Sequence, residues 1–562
     1  MEQRRLERFT LILLLLIATG VFGAGINWGL PGKDIDQFLF GDRKPWTGTE
    51  ILQLLPPDTD ERRGADVDAT PLSPSTQPII LNATDPQRAE IVRRYRLFSY
   101  QPDEMITLMS LSKMKPSQGK FDPKLYQYGG LWIYPVGGLL KASDIAGIIR
   151  LESNQAFYLD HPAAFGKFYV VMRAYVVMWG LIGVWAIFWI TRRLTSDLFT
   201  SFAATVCCIF MPVVVNMAHE AKPHLPGAVL MLLGIIAAVK YVEGGKTKLA
   251  ILAGALCGGA FGMIISGATS FVILPAMVLF RREPIRRRIA LVTASIAMGC
   301  LVYAITNPYV ITHLVTDRST LFSNLGNSTA MYQPSTSGSG LIDGFVRLSE
   351  GASLPLLLAG VGGAIWFSRR SNPLAWLLAV ASLPVLIQFF LLAQNKPSEY
   401  ARFALLPCIC IGICGVVTLS HAAPRRVALW AIVIVMGVYA ASYVWHFGRD
   451  SVARTPRIIA AERMQTRLVE GASSIHVRAE PAPYCLPPVD LFRSKIILGG
   501  DPRTDAYSVE IRPVDRSQTE YLGAGFHVWP RPRLLPTPIS WASKPMRVQF
   551  WKDGRPFSPA TQ

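Results

Sequence analysis

Long apolar runs, repeated along most of the chain, constrain this sequence more than any other feature. They cover 10–30, 168–190, 198–215, 225–239, 249–265, 268–280, 289–306, 354–367, 374–392, 403–419 and 427–445. A helix that crosses a bilayer needs about 20 mostly apolar residues. Several of these runs approach that length and several fall short. Only 17% of residues are charged, against 51% hydrophobic. A soluble globular chain carries roughly 25% charged residues. A wholly soluble protein and a disordered one are both excluded. The expected fold is an α-helical polytopic membrane protein with about eleven transmembrane helices.

The formal net charge of +18 belongs to topology. Basic residues gather in short clusters between the apolar runs: Arg192-Arg193, Lys246 with Lys248, Arg281 to Arg288, Arg369-Arg370 and Arg425-Arg426. Such clusters stay on the cytoplasmic side. They share one side only if 249–280 crosses twice. The amino terminus, with Arg4, Arg5 and Arg8, is then inside and the carboxyl terminus outside. The 10–30 run reads as a retained span, because it exceeds the usual core of a cleaved signal. Nucleic acid is not an expected partner: there is no zinc-finger spacing and no basic helix with interleaved aromatics.

Seven of the eight cysteines lie inside apolar runs, and Cys485 stands alone in a polar region. They read as small packing residues and not as a disulfide framework. This topology puts two long polar segments outside. The first loop, 31–167, opens rich in Pro and Asp and reads as irregular in its first half. Its second half carries short amphipathic pieces, with 121–140 aromatic and suited to a membrane surface. The tail, 447–562, alternates β-favouring stretches at 474–477, 495–498, 507–511 and 546–550 with Pro and Gly. It is expected to form a small α+β domain beside a transmembrane domain covering 1–446. Asn82 and Asn327 open sequons on the outer side.

Polar side chains gather at the outer ends of the runs. Asp103 and Glu104 follow Pro102 in the first loop, and adjacent carboxylates beside an apolar surface suit a general base. Asp122-Pro123-Lys124-Leu125-Tyr126-Gln127-Tyr128-Gly129-Gly130-Leu131-Trp132-Ile133-Tyr134-Pro135 comes next. Arg173 opens the second run. His219, Glu220, Lys222 and His224 crowd one short turn, where His219, Glu220 and His224 have the chemistry to ligate a metal. A substrate role competes with that one, as does a plain solvated turn. Lys396 and Glu399 line a similar turn before Arg402-Phe403-Ala404-Leu405-Leu406-Pro407. Asn307-Pro308-Tyr309 closes a middle run. His161 and His313 read as ordinary loop histidines.

Together these motifs resemble the GT-C superfamily of polytopic glycosyltransferases, in its protein O-mannosyltransferase and aminoarabinose transferase branch. The resemblance covers 1–445. It implies an inverting hexosyl- or pentosyltransferase working on the extracytoplasmic face of a plasma or inner membrane. The donor would be a polyprenyl-phosphate sugar and the acceptor a glycan, lipid or protein. Two features depart from that pattern. The acidic motif lies far behind the first span, and Asp34 and Asp36 occupy the nearer position as rivals. The turn Ile264-Ile265-Ser266-Gly267 lacks the lysine that many relatives carry there.

In such a reaction Asp103 is the expected base, with Glu104 orienting it or binding acceptor. Arg173, Lys222 and Arg402 are the expected phosphate ligands, because cations must hold the phosphate as charge develops on it. His219, Glu220, His224, Lys396 and Tyr134 complete the expected substrate site. No cofactor is required by this chemistry, and room is left for a divalent metal. The competing readings are a lipid-linked saccharide transporter and a non-catalytic envelope assembly protein. Transporters place ionisable residues at mid-membrane depth, and these runs carry almost none.

Overall fold

The computed structural model describes residues 2–56, 78–281, 283–331, 334, 338–368, 372–421, 424–450, 456–465, 474–477, 486–513, 526–528, 536, 538–539 and 546–557. The Arg369-Arg370 cluster, Pro57, most of the proline run at 71–78 and Cys485 lie outside the described residues.

Among the described residues, seven helices are long and apolar enough to cross a membrane: Glu2–Gly23, Pro162–Thr195, His224–Gly244, Ile285–Thr306, Pro373–Leu391, Ser398–Leu419 and Arg425–Arg449. The pair Leu198–Ile209 and Pro212–Ala218, bent by 59°, makes an eighth if it counts as one span. The bend falls where Pro212 opens the second helix, since proline cannot continue the hydrogen-bonding of the turn before it. The expected eleven therefore becomes seven or eight by length. The other three runs form shorter apolar helices, Thr247–Met263, Ile265–Leu279 and Leu354–Gly363. Ile264 is extended, at φ −154° and ψ 143°, and divides the first two of these. That break is why 249–280 is not one long helix.

The chain forms two compact units. The first comprises Met1–Ala24, Ser110–Gly138 and Met172–Val444. Small residues bring its helices together. A Cβ on Gly254 or Gly258 would lie 2.1 Å from the carbonyl oxygen of Ser295 or Gly299 on the neighbouring helix. A Cβ on Gly360 or Gly363 would likewise lie 2.6 or 2.5 Å from the carbonyl oxygen of Ile411 or Cys414. Apolar side chains gain little from leaving lipid for a helix interface, so close backbone approach through small residues is what holds such pairs together. Outward-facing Leu301, Ile305, Leu358, Val361, Ile434 and Trp430 are exposed, as expected where lipid replaces water. Cys207, Cys208, Cys257, Cys408 and Cys410 are buried free thiols.

The second unit comprises Gly25–Met109, Leu139–Val171 and Trp445–Gln562. Its seven-stranded sheet runs β1-β3-β2-β4-β6-β5, with β7 paired to β6. The strands are β1 (Ile79–Ile80), β2 (Ser474–Val477), β3 (Lys495–Leu498), β4 (Tyr507–Pro513), β5 (Phe526–Val528), β6 (Met546–Lys552) and β7 (Arg555–Pro556). β2 lies parallel to both neighbours and is buried along its length, as a central parallel strand requires. The four β-favouring stretches read from sequence are β2, β3, β4 and β6. β1 belongs to the first loop and pairs Ile79 with Leu498 antiparallel, so loop and tail build one sheet.

The described part of the first loop is largely helical. Thr47 and Glu50 form a capping box that starts Gly48–Leu54. Thr84 and Gln87 form another, with proline in the first turn, that starts Asp85–Leu97. Each box satisfies backbone N–H groups that an uncapped helix would leave open. Among the Pro- and Asp-rich residues the reciprocal spacing of Thr47 and Glu50 is easily missed.

Candidate active site

In the first unit, two turns carry a buried charged cluster. The helix Pro212–Ala218 ends, the chain turns through 219–223, and His224–Gly244 begins with Pro223 at its N-cap. The second turn is the 3₁₀ segment Ser398–Ala404, which leads into Leu405–Leu419. Lys222 Nζ lies 2.6 Å from Glu399 Oε1 and 3.1 Å from Glu220 Oε2. An Arg402 guanidinium nitrogen reaches the same Glu399 oxygen at 2.7 Å. Asn216 Nδ2 donates to Glu220 Oε1 at 2.9 Å. Glu220, Asn216 and Arg173 are fully buried, Lys222 and Glu399 nearly so. A buried charge is tolerated only when paired and hydrogen-bonded, and here each charge of the cluster has a partner on the other turn or its own.

Burial raises the Glu220 carboxyl above its ordinary range, and the nearby Glu399 charge adds to the rise against the pull of Lys222 and Arg402. His219 is also buried. Its ring nitrogens face the carbonyl oxygens of Val215 and Ala24, each at 2.8 Å. Burial lowers its pKa to about 4, which keeps the ring neutral at pH 7. Both nitrogens are turned to backbone oxygens and Glu220 is held by Asn216 and Lys222, so the metal set suggested by His219, Glu220 and His224 does not assemble. Among the described residues no group of three His, Cys, Asp or Glu side chains is arranged to hold a metal ion.

An aromatic wall borders the cluster. The His224 ring packs edge-on to Phe403 and to Tyr128. Arg402 lies over Phe403 at 4.9 Å, and Tyr400 stacks on Phe389. Arg347 donates to Ser398 Oγ at 3.0 Å and to Glu350 at 2.7 Å, adding a third guanidinium-or-ammonium group beside the second turn. Lys396 sits half-buried just before that turn, and burial lowers its pKa.

The Asp122–Pro135 segment also lies in the first unit. Asp122 accepts from Tyr126 Oη at 3.1 Å and pairs with His313 Nε2 at 2.8 Å. His313 is therefore not a plain loop histidine: it belongs to the helix Pro308–Thr316 and ties that helix to the motif. Tyr134 is half-buried and donates to the Phe121 carbonyl at 3.2 Å; burial raises its phenol pKa. Asn307 Oδ1 accepts from the Gly130 N–H at 2.7 Å.

Asp103 and Glu104 belong to the second unit, in the first turn of Pro102–Lys113. Asp103 is half-buried. Glu104 is fully buried and accepts a 2.5 Å hydrogen bond from Ser99 Oγ. Of the rivals, Asp34 is exposed. Asp36 is buried and receives two bonds from Arg96, at 3.2 and 2.9 Å.

Sequence reasoning left Glu399 as one residue lining a turn and did not name Arg347 or Asn216. Asn216 lies one helical turn before Glu220, a spacing that could have flagged it, whereas Arg347 and the Glu399–Lys222 contact join the cluster from distant parts of the chain. The Asp122–His313 pair was missed for the same reason.

No protein-family model matches this chain, and no curated protein matches it. Several solved structures are similar to it. ArnT from Cupriavidus metallidurans bound to undecaprenyl phosphate is 14% identical, over 82% of this chain and 96% of that one, with a TM-score of 0.45. The archaeal oligosaccharyltransferase AglB from Archaeoglobus fulgidus, in complex with an inhibitory peptide and a dolichol-phosphate, is 12% identical over 88% and 64%, at 0.42. The arabinofuranosyltransferase AftD from Mycobacteria is 14% identical over 72% and 34%, at 0.36. These structural neighbours are GT-C glycosyltransferases.

Proposed function

We propose that the protein is an integral membrane glycosyltransferase. It transfers a sugar from a polyprenyl-phosphate donor to an extracytoplasmic acceptor hydroxyl, with inversion. The acceptor oxygen forms a bond to the anomeric carbon while the bond from that carbon to the phosphate oxygen breaks. The leaving polyprenyl phosphate keeps the electron pair, and Asp103 takes the acceptor's proton. Cations must be in place where charge grows on the phosphate.

The observation that carries the reading is the pair of cations, buried Lys222 and half-buried Arg402, held 2.6 and 2.7 Å from one buried carboxylate oxygen in turns that join apolar helices. A lipid phosphate needs ammonium and guanidinium groups in such a place, because Lys offers a point charge and Arg a planar fork. The eleven-span topology, counting the three short helices and the bent pair as crossings, belongs to the same reading. It puts both turns on the outer face.

The test is donor turnover by purified protein with a panel of polyprenyl-phosphate sugars and a mixed acceptor extract. Release of polyprenyl phosphate that depends on acceptor supports the reading. Transport of the intact lipid-linked sugar across vesicles, without cleavage, would replace it with the transporter reading.

A further inference from the structure

Glu399 is the point where the two turns meet. Its Oε1 accepts from Lys222 Nζ on one turn and from Arg402 on its own. The chain separation between Glu399 and Lys222 is 177 residues, so this contact is a product of the fold and not of a local turn. Glu220 also reaches Lys222, but it stands on the same turn and is fixed by Asn216. Glu399 stands on the other turn, so the backbone of the Lys222 turn does not depend on it. Its own backbone is a 3₁₀ segment, a tighter and less well hydrogen-bonded helix than the α form.

The arrangement has the stereochemistry of an anion site already filled from within. A single oxygen receives one ammonium and one guanidinium contact, each charge-assisted. Without that oxygen the buried Lys222 ammonium and the half-buried Arg402 guanidinium would stand side by side with much less compensation. We infer that Glu399 is a built-in stand-in for the donor's phosphate: its Oε1 occupies the place between Lys222 and Arg402 that a phosphate oxygen takes, and the lipid binds by displacing it. This inference rests on the proposal that Lys222 and Arg402 hold the donor phosphate. It adds that the site is self-neutralised when empty, and that affinity is lowered by the carboxylate's competition. Arg347, bonded to Ser398 next in the chain, anchors the start of that turn.

The experiment is equilibrium binding of undecaprenyl phosphate to full-length protein in nanodiscs, with undecaprenol as the uncharged control. Lys222→Ala and Arg402→Lys should weaken phosphate-lipid binding. Glu399→Gln removes the competing charge at nearly constant shape and should tighten it by about tenfold or more, because the carboxylate's charge-assisted hydrogen bonds no longer compete with the phosphate. Undecaprenol binding should not change. If Glu399→Gln does not fold, Glu399→Asp keeps the charge, shortens its reach and should shift affinity in the same direction. Weaker or unchanged phosphate-lipid binding in the Glu399 variant, with the two cation variants still weakened, overturns the stand-in and leaves the phosphate site standing. Unchanged binding in all variants overturns both. Equal tightening of undecaprenol also overturns the stand-in, because the effect would then not concern phosphate.

Discussion

Arg96 grips Asp36 through two nitrogens, at 3.2 and 2.9 Å, and spends another on the Trp46 carbonyl at 2.8 Å. Arg96 is 1% exposed. The pair ties the start of the first loop to the helix Asp85–Leu97 inside the second unit. A carboxylate bonded in this way is built to hold structure. Asp36→Asn is therefore expected to destabilise the protein by about 3–5 kcal/mol, the usual cost of leaving a buried charge without its partner. Asp103 is half-buried, and Asp103→Asn should leave the melting temperature near that of the parent. Its turnover should fall by about 10²–10⁴ if Asp103 is the base. Thermal unfolding and turnover measured on both variants separate the two roles. Normal stability with lost turnover in Asp36→Asn would move the base to the end of the first span.

Donor affinity should depend on the cations. Arg402→Lys keeps the charge and loses the planar fork, so donor KM should rise about tenfold with a smaller change in kcat. Lys222→Ala should do more, because it leaves both Glu220 and Glu399 without their ammonium. Arg173→Ala tests the third expected ligand. Unchanged donor KM across all three would place the phosphate elsewhere.

Orientation is tested independently of chemistry. The basic clusters imply an inside amino terminus and an outside carboxyl terminus. Reporter fusions after Arg8, Arg288 and Asp450 should read inside, inside and outside. An inside signal at Asp450 would require an even number of crossings, and one of the short helices Thr247–Met263, Ile265–Leu279 or Leu354–Gly363 would then be re-entrant.

What could be read from the sequence follows from the range of the signals. Apolar runs and β-favouring stretches are local, so the helical segments and the strands at Ser474–Val477 and Lys495–Leu498 were visible. So was the concentration of polar groups at His219 to His224. Contacts made across the chain were not visible. Nothing near Ile79 says that it will pair with Leu498, and nothing near Glu399 says that Lys222 will reach it. The division of 249–280 into two runs was legible as well, and the extended Ile264 falls between its two helices.

The buried Glu220 carboxyl makes stability depend on pH in a direction that can be worked out. Burial raises its pKa from an ordinary 4.5 to about 7. Between those values the folded protein holds the proton and the unfolded chain has lost it. Stability must therefore fall as pH rises through that window. The melting temperature of the parent should drop from pH 5 to pH 8 more than that of Glu220→Gln, which cannot ionise. Parallel curves for the two proteins would show that Lys222 keeps Glu220 charged throughout.

Asn82 opens an Asn-Ala-Thr sequon but does not present its amide to solvent. Its Nδ2 donates to the carbonyl oxygens of Leu491 and Ser494, both at 2.8 Å, and its Oδ1 accepts from the Ile496 N–H at 2.7 Å. Only 3% of the residue is exposed. All three bonds reach the segment that leads into and forms β3, so Asn82 fastens the first loop to the sheet within the second unit. Removing a side chain that satisfies three buried backbone groups should cost about 1–3 kcal/mol for the groups left open. Asn82→Ala is expected to lower stability by at least that much, and Asn82→Asp to fail similarly, since it replaces the donor with a charge facing two carbonyls. Expression in a host that glycosylates should leave Asn82 unmodified, because a glycan on Nδ2 would displace both carbonyl contacts. A mass shift at Asn82 in protein that still folds would show that this joint between loop and sheet is not closed in the mature molecule.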